Sequence, residues 1–220
     1  MKKIIIVILF ILLLNFPFLC KSKEFDSQKK YVALSFDDGP SKYTKEIVNY
    51  LNDNNCNATF FIIGEKISLY KDILLDIINS GNEIGNHTYT HPWLTQLTDE
   101  KIINEINNTQ NELELLINYK PKLFRPSYGD INDKLRSLIN LKTVLWTNDS
   151  SDWKYKSYKT IASNVIRQIK ENDIILLHDT YKRSYDALKI IIPKLKSMGY
   201  EIVTVSDLLE IRELKKVYEF

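Results

Sequence analysis

The sequence predicts one α/β domain. Strand-like and helix-like stretches alternate about seven times through the 220 residues. The strand-like runs are short and rich in Ile, Val, Phe and Leu, as strands buried on both faces are. No repeat, low-complexity tract or second linker interrupts the series. This pattern alone fits either a (β/α) barrel or a doubly wound parallel sheet.

Strand-like runs fall at 31–36, 58–63, 83–85, 122–124, 143–146, 173–177 and 201–205. Helical periodicity occupies about 44–53, 65–80, 98–118, 131–139, 157–171, 183–198 and 206–217. Thr98, followed by Asp99 and Glu100, reads as an N-cap with acids in the first turn. Ser206 before Asp207 reads as another, and Gly81 after Ser80 reads as a helix stop. No G-x-G-x-x-G or G-x-x-x-x-G-K-[ST] follows the first strand, so nucleotide binding has no support.

Residues 1–23 have the layout of an export signal. Lys2 and Lys3 precede an unbroken apolar run at 4–14. That run is shorter than the roughly 20 residues of a spanning helix. An uncleaved N-terminal membrane anchor is the alternative, because no A-x-A site is visible. Cys20 follows Leu19, a poor match to the small residue before a lipidated cysteine, and is read as part of the apolar stretch. Residues 24–30 form a polar linker, and 31–220 the domain. The formal charge of +2 belongs to the leader, whose four lysines leave 26 basic against 28 acidic groups elsewhere. A nearly neutral domain gives no reason to expect a nucleic-acid partner, and fits an uncharged or zwitterionic substrate better than a polyanion. The two cysteines, Cys20 and Cys56, cannot supply a disulfide framework or a Cys-rich zinc site.

Several strand-like runs end in bursts of polar residues. These are Asp37-Asp38-Gly39-Pro40, His87-Thr88-Tyr89-Thr90-His91, Arg125-Pro126-Ser127-Tyr128-Gly129, the stretch from Asp149 through Asp152-Trp153, and His178-Asp179. In a parallel α/β protein the C-terminal ends of the strands share one face, where barrels place their chemistry. All three histidines of the sequence fall in these bursts. Two imidazoles four residues apart, joined by one carboxylate, make a ligand set that leaves a coordination position open. The third histidine remains free for proton transfer. Each cluster also has a plainer reading: D-D-G is a turn sequence, and a lone histidine after a strand is often a hydrogen-bonding loop residue.

Together the five clusters resemble the polysaccharide deacetylases, the NodB-homology domain of carbohydrate esterase family 4. The resemblance covers about residues 30–210. Ser35-Phe36-Asp37-Asp38-Gly39-Pro40 is similar to [T/S]-F-D-D-G-P, and His87 to His91 to H-[S/T]-x-x-H. Phe124 to Gly129 resembles F-R-P-P-Y-G, with Ser127 where proline is common. Asp149 to Trp153 matches D-x-x-D-W, and Leu176 to Asp179 matches L-x-H-D. The resemblance implies a distorted (β/α) barrel of seven or eight strands that removes acetyl groups from sugar polymers. It implies Asp38, His87 and His91 as ligands of a divalent ion, zinc first, with cobalt or nickel as alternatives. It also implies Asp37 as general base and His178 as general acid. Arg125 would pair with the base, and Asp152 would orient His178. The Tyr128 backbone N–H would hold the oxyanion, and Trp153 and Leu176 would form the apolar wall around the acetyl methyl.

These roles are chemically coherent. An amide is a poor electrophile, so a metal that polarises its carbonyl and acidifies water lowers the barrier. The leaving amine needs a proton, which an imidazolium beside a carboxylate supplies near neutral pH. Serine at 127 in place of proline leaves the approach to Tyr128 freer. Trp93, after His91-Pro92, is either a sugar platform or a loop-packing residue.

The expected function is metal-dependent N-deacetylation of an extracellular glycan, peptidoglycan or chitin-like. O-deacetylation of a polymer such as xylan, hydrolysis of a small non-sugar amide and catalytically silent glycan binding are alternatives. The expected protein is a monomer, secreted or on the outer face of the cell membrane, touching membrane only through an uncleaved leader. Its partner is an acetylated polysaccharide or oligosaccharide.

Overall fold

A computed structural model describes residue 26 and residues 28–218. The leader expected at 1–23 lies outside the described residues, as does part of the expected linker. Among the described residues, no helix is long and apolar enough to cross a membrane.

Among the described residues the chain forms eight strands and seven α-helices. The strands are β1 (Lys30–Gly39), β2 (Ala58–Ile62), β3 (Glu83–Asn86), β4 (Leu123–Phe124), β5 (Lys142–Thr143), β6 (Asn148–Asp149), β7 (Ile174–His178) and β8 (Tyr200–Val203). The helices are α1 (Thr44–Asp53), α2 (Lys71–Asn79), α3 (Asp99–Ile117), α4 (Asp133–Leu138), α5 (Tyr158–Gln168), α6 (Lys182–Ser197) and α7 (Val205–Tyr218). Every strand pair is parallel, in the order β5-β4-β3-β2-β1-β7-β6. Strand β8 pairs with the first residues of β1, Lys30 to Ala33, and β2 pairs with β1 from Leu34 onward. The sheet curls into the distorted (β/α) barrel with helices around it. Its edge strands β5 and β6 are joined by residues 144–147 rather than by a ladder.

Side-chain alternation along β1 sorts the two faces. Val32, Leu34 and Phe36 point outward, into a core shared with Ile47 and Leu51 of α1 and Leu188 and Ile191 of α6. Tyr31 and Ala33 point inward, into a smaller core with Phe61, Leu123, Val144 and Ile174. The next inward residues are Ser35 and Asp37, both buried and polar. The barrel interior thus runs from apolar at its base to polar at its C-terminal mouth. Strand β7 repeats the gradient: Ile174 packs in the inner core, while Leu176 and His178 line the pocket at the mouth.

Three local expectations are corrected. The strand expected at 143–146 is two short strands, β5 and β6, because residues 144–147 cross the open seam of the barrel. The helix expected from 65 begins as two 3-10 turns, Gly64–Lys66 and Ser68–Tyr70, before α2. Ser206 does not cap α7. Thr204 accepts the Asp207 N–H at 3.2 Å, while the Ser206 hydroxyl turns to Glu83. Gly81 takes φ +76 just beyond α2, the conformation a helix stop requires.

Gly85 of β3 lies against the Phe61 ring, where a methyl group would come within 2.4 Å of Cδ1. Gly85→Ala therefore forces the ring to move and should cost about 1–3 kcal/mol, the range for overpacking a core. Urea unfolding of the variant beside the parent measures the loss.

Candidate active site

The site begins with an irregularity in β1. The pairing of β1 with β2 shifts register between Phe36 and Gly39. A bulge of this kind re-aims side chains at a strand end. Asp37 keeps its inward direction, in register beside His178 of β7. Asp38 takes φ 69 and turns its carboxylate toward the histidines that follow β3.

Asp37 meets a buried cation. Arg125 follows β4 and is 0% exposed. Its Nη1 donates to Asp37 Oδ1 at 2.7 Å and to Ser35 Oγ at 2.9 Å. Its Nε and Nη2 donate to the carbonyls of Val144 and Leu145, both at 3.1 Å. The guanidinium carbon lies 4.0 Å from the Phe61 ring centre. A buried guanidinium is tolerable because its N–H groups are engaged and one partner carries the opposite charge.

The histidine pair lies on a loop, not on a helical turn. Three hydrogen bonds to the half-buried Glu105 of α3 hold that loop. Tyr89 and Thr90 N–H donate to Oε2, and the Thr90 hydroxyl donates to Oε1, each at 2.8 Å. Glu105 was invisible to the sequence reading, because an acid on an amphipathic helix looks like solvated surface. The His87 and His91 ring centres are 4.9 Å apart. Their Nε2 atoms lie 3.5 and 3.2 Å from Asp38 Oδ1.

Asp38, His87 and His91 place one ligand atom each within 4.8 Å of one another. His87 Nδ1 sits 2.7 Å from the Arg125 carbonyl, so Nδ1 carries the proton and Nε2 presents a lone pair. Asp38 Oδ1 is buried with no hydrogen-bond partner. Burial and the neighbouring His87 pull the His91 pKa down, which favours its neutral, ligating form. Burial pushes the Asp38 carboxyl up, but the surrounding imidazoles of His87, His178 and His91 hold it well below the usual carboxylate range. Two lone pairs facing an orphaned carboxylate oxygen are a donor set that fits a divalent cation.

On the other side of β1, His178 Nδ1 lies 2.7 Å from Asp152 Oδ1. Asp152 is fully buried and accepts the His178 N–H at 2.7 Å and the Ser184 hydroxyl at 2.5 Å on its other oxygen. Burial pulls the His178 pKa down, yet the hydrogen bond and charge of Asp152, with Asp37 and Asp38 behind it, raise it to about 9. His178 Nε2 stands 3.9 Å from Asp38.

Asp37, Asp38, His87, His91 and His178 line one pocket of about 420 Å³, together with Tyr128, Trp153 and Leu176. Arg125 and Asp152 sit directly behind it. Each catalytic, metal-ligand and substrate-wall candidate from the sequence is therefore at or against this pocket. Trp146 and Tyr181, which the sequence reading passed over, also line it. Tyr181 sits just after the His178-Asp179 cluster, and that position was the available signal.

Ser127 departs from expectation in a useful way. Ser127 is buried, and its hydroxyl lies 3.0 Å from Thr88 Oγ1, which also accepts the His91 N–H at 3.1 Å. The third cluster is thus tied to the second by a polar bridge, a restraint that the freer loop expected of serine would lack. Tyr128 holds φ 60 and stacks on Trp93, with ring centres 4.0 Å apart and planes 11° apart. Trp93 thus packs on the neighbouring loop and still leaves 47% of its surface exposed. Thr88, Tyr128 and Ser151 all take left-handed backbone conformations that such residues rarely adopt, and all flank the pocket.

With this geometry in view, the relatives are informative. A family model described as Polysaccharide deacetylase matches residues 25–144. The chain belongs to the polysaccharide deacetylase family. It is 41% identical to the peptidoglycan-N-acetylmuramic acid deacetylase PdaC of Bacillus subtilis, over 89% of this chain and 42% of that protein. It thus spans less than half the length of that relative. It is 38% identical to a peptidoglycan-N-acetylglucosamine deacetylase of Bacillus cereus, over 86% of this chain and 71% of the other. The solved structure of PdaC superimposes with a TM-score of 0.86, at 41% identity, covering 89% of this chain and 97% of that one. Glycan deacetylation is the activity common to these relatives.

Arg125→Met should cost about 3–5 kcal/mol of stability, because it strands Asp37 as an uncompensated buried charge. The double variant Asp37→Asn/Arg125→Met should recover part of that loss. Denaturant titration of parent, singles and double measures the recovery. A double variant as unstable as the sum of its singles would break the pairing argument.

Proposed function

We propose that this polysaccharide deacetylase removes N-acetyl groups from an extracellular glycan, with cell-wall peptidoglycan or a chitin-like oligomer as substrate. In this reading residues 31–220 are the catalytic domain, 24–30 a linker, and 1–23 an export signal or anchor. The observation that carries it is the placement of two proton-transfer groups against one metal-type cluster. Asp37 Oδ2 lies 3.7 Å from His87 Nε2, and His178 Nε2 lies 3.9 Å from Asp38 Oδ2.

Asp38, His87 and His91 would hold the divalent ion, zinc first among the candidates. Once bound, the ion supplies Lewis acidity toward the acetyl carbonyl and water. Asp37, anchored by Arg125, accepts the proton of the attacking water. The Tyr128 backbone N–H is the donor to the charge that develops on the carbonyl oxygen. His178 is held by Asp152 with its Nε2 toward the pocket, and protonates the leaving amine. The raised pKa of His178 keeps that proton in place at neutral pH. Leu176 and Trp153 shield the acetyl methyl and exclude water from that side of the pocket. The muramic acid and glucosamine activities named for the two relatives make either sugar a candidate.

Asp37→Asn should retain bound metal and lose turnover by roughly a hundred- to ten-thousand-fold, the span of general acid–base catalysis. His178→Ala should do the same, whereas His87→Ala should lower metal content. Acetate release and free-amine formation on N-acetylated and O-acetylated polymers, with metal analysis of the same samples, read all three. No acetate from any acetylated glycan with zinc, cobalt or nickel added would refute the reading.

A further inference from the structure

Beside the catalytic pocket lies a second, shallower depression of about 510 Å³, and Tyr181 lines both. Its other walls include Lys156, Tyr158, Lys182 and Arg183. Asp186 is the acid among the lining residues, and it is engaged by Lys182 at 2.7 Å and Lys189 at 3.4 Å. Among the described residues, neither Lys156 nor Arg183 is paired with a carboxylate.

Arg183 is held rather than free. Its Nε donates to the Asp152 carbonyl at 2.7 Å, and its guanidinium carbon lies 3.7 Å from the centre of the Tyr181 ring. The Tyr181 ring is in turn 5.9 Å from that of His178. A guanidinium fixed through Nε keeps its outer N–H groups for a planar anion, and little conformational freedom is lost on binding. The chain leading to the depression, residues 154–159, reads Lys-Tyr-Lys-Ser-Tyr-Lys and is exposed throughout. This wall therefore combines flat rings with uncompensated positive charge. The opposite side of the pocket carries the stacked Trp93 and Tyr128. Aromatic faces suffice for a neutral sugar chain, so the cations need a different explanation. The balanced net charge of the domain conceals this local excess.

We propose that the depression formed by Lys156, Tyr158, Lys182 and Arg183 is a subsite for a carboxylate carried on the glycan. The preferred substrate is then an acidic N-acetylated glycan rather than a neutral one. The carboxylate is either a lactyl ether on the sugar or part of an attached peptide. This rests on the deacetylase reading above and narrows its substrate class.

The test compares kcat/KM on oligosaccharides of equal length: a neutral N-acetylglucosamine oligomer, an N-acetylglucosamine–N-acetylmuramic acid oligomer with free lactyl carboxylates, and the latter bearing stem peptides. The variant Lys156→Gln/Lys182→Gln removes two charges without touching the catalytic pocket. It should lose at least threefold in kcat/KM on an acidic substrate, mainly through KM, and nothing on the neutral oligomer. The loss should vanish near 1 M salt, where the screening length is about 3 Å. Amidating the carboxylates should bring the parent enzyme down to the variant's level. A loss on the lactyl oligomer assigns the site to the sugar acid, and a loss confined to the peptide-bearing one assigns it to the peptide. Equal losses on neutral and acidic substrates, or indifference to amidation, overturn the subsite while leaving the deacetylase reading intact. Absence of acetate from every substrate fails the deacetylase reading itself, and the subsite with it.

Discussion

One buried cation organises this molecule. The barrel is open between β5 and β6, and residues 144–147 cross the gap without a ladder. Arg125 binds the carbonyls of Val144 and Leu145 on that segment and Ser35 and Asp37 on β1. Its side chain replaces the strand pairing that a closed barrel would have there. Desolvating a guanidinium is expensive, and only a nearly complete set of partners offsets it. The stability of the seam and the position of Asp37 therefore share one cause. The backbone of the same residue adds a further constraint, since its carbonyl sets the tautomer of His87. One residue thus ties the proposed base, one proposed metal ligand and the barrel seam into a single unit.

Around that unit, Asp37, Asp38, Asp152 and Asp179 are buried or half-buried at the C-terminal mouth, each in a different setting. Asp37 has Arg125, Asp38 has the imidazoles of His87 and His91, and Asp152 has His178, Ser184 and a backbone N–H. Asp179 has the Thr44 hydroxyl at 2.5 Å, while its Oδ1 is without a hydrogen-bond partner. Burial pushes the Asp179 carboxyl up to about 7. The neighbouring residues His178 and Asp179 are both pushed up, one by an adjacent carboxylate and the other by desolvation. The sign of a pKa shift at this mouth follows from what each group faces.

Legibility in the sequence followed the same physical lines. Helix α1 matches the expected 44–53 because its apolar residues Ile47, Val48 and Leu51 recur at helical spacing. Strands β1, β2 and β7 were legible because both faces are buried, which yields continuous apolar runs. Strand β6 was not. It is two residues, Asn148 and Asp149, and the buried Asn148 reaches the Val165 carbonyl and Asp173, so no hydrophobic signal marks it. The residues of the site were legible because five polar clusters sat at strand ends. Their supports were not, because Glu105 and the Ser127–Thr88 bridge act through tertiary contacts that leave no pattern along the chain.

The two walls of the pocket divide its work. On the β3 and β4 side, Glu105 binds Tyr89 and Thr90, while Thr88 binds Ser127 and the His91 N–H, so two sets of hydrogen bonds hold the loop of proposed ligands beside the strained Tyr128. On the β6 and β7 side, Asp152 serves two groups at once. Its carboxylate holds His178, and its backbone carbonyl holds Arg183. Any anion that draws Arg183 out of place would strain the bond to the Asp152 carbonyl, and through that residue the seat of His178. An anion that meets the guanidinium where it already lies leaves His178 undisturbed. The geometry of Arg183 therefore suits the proposed subsite, because its outer N–H groups can be offered to a carboxylate without leaving the Asp152 carbonyl.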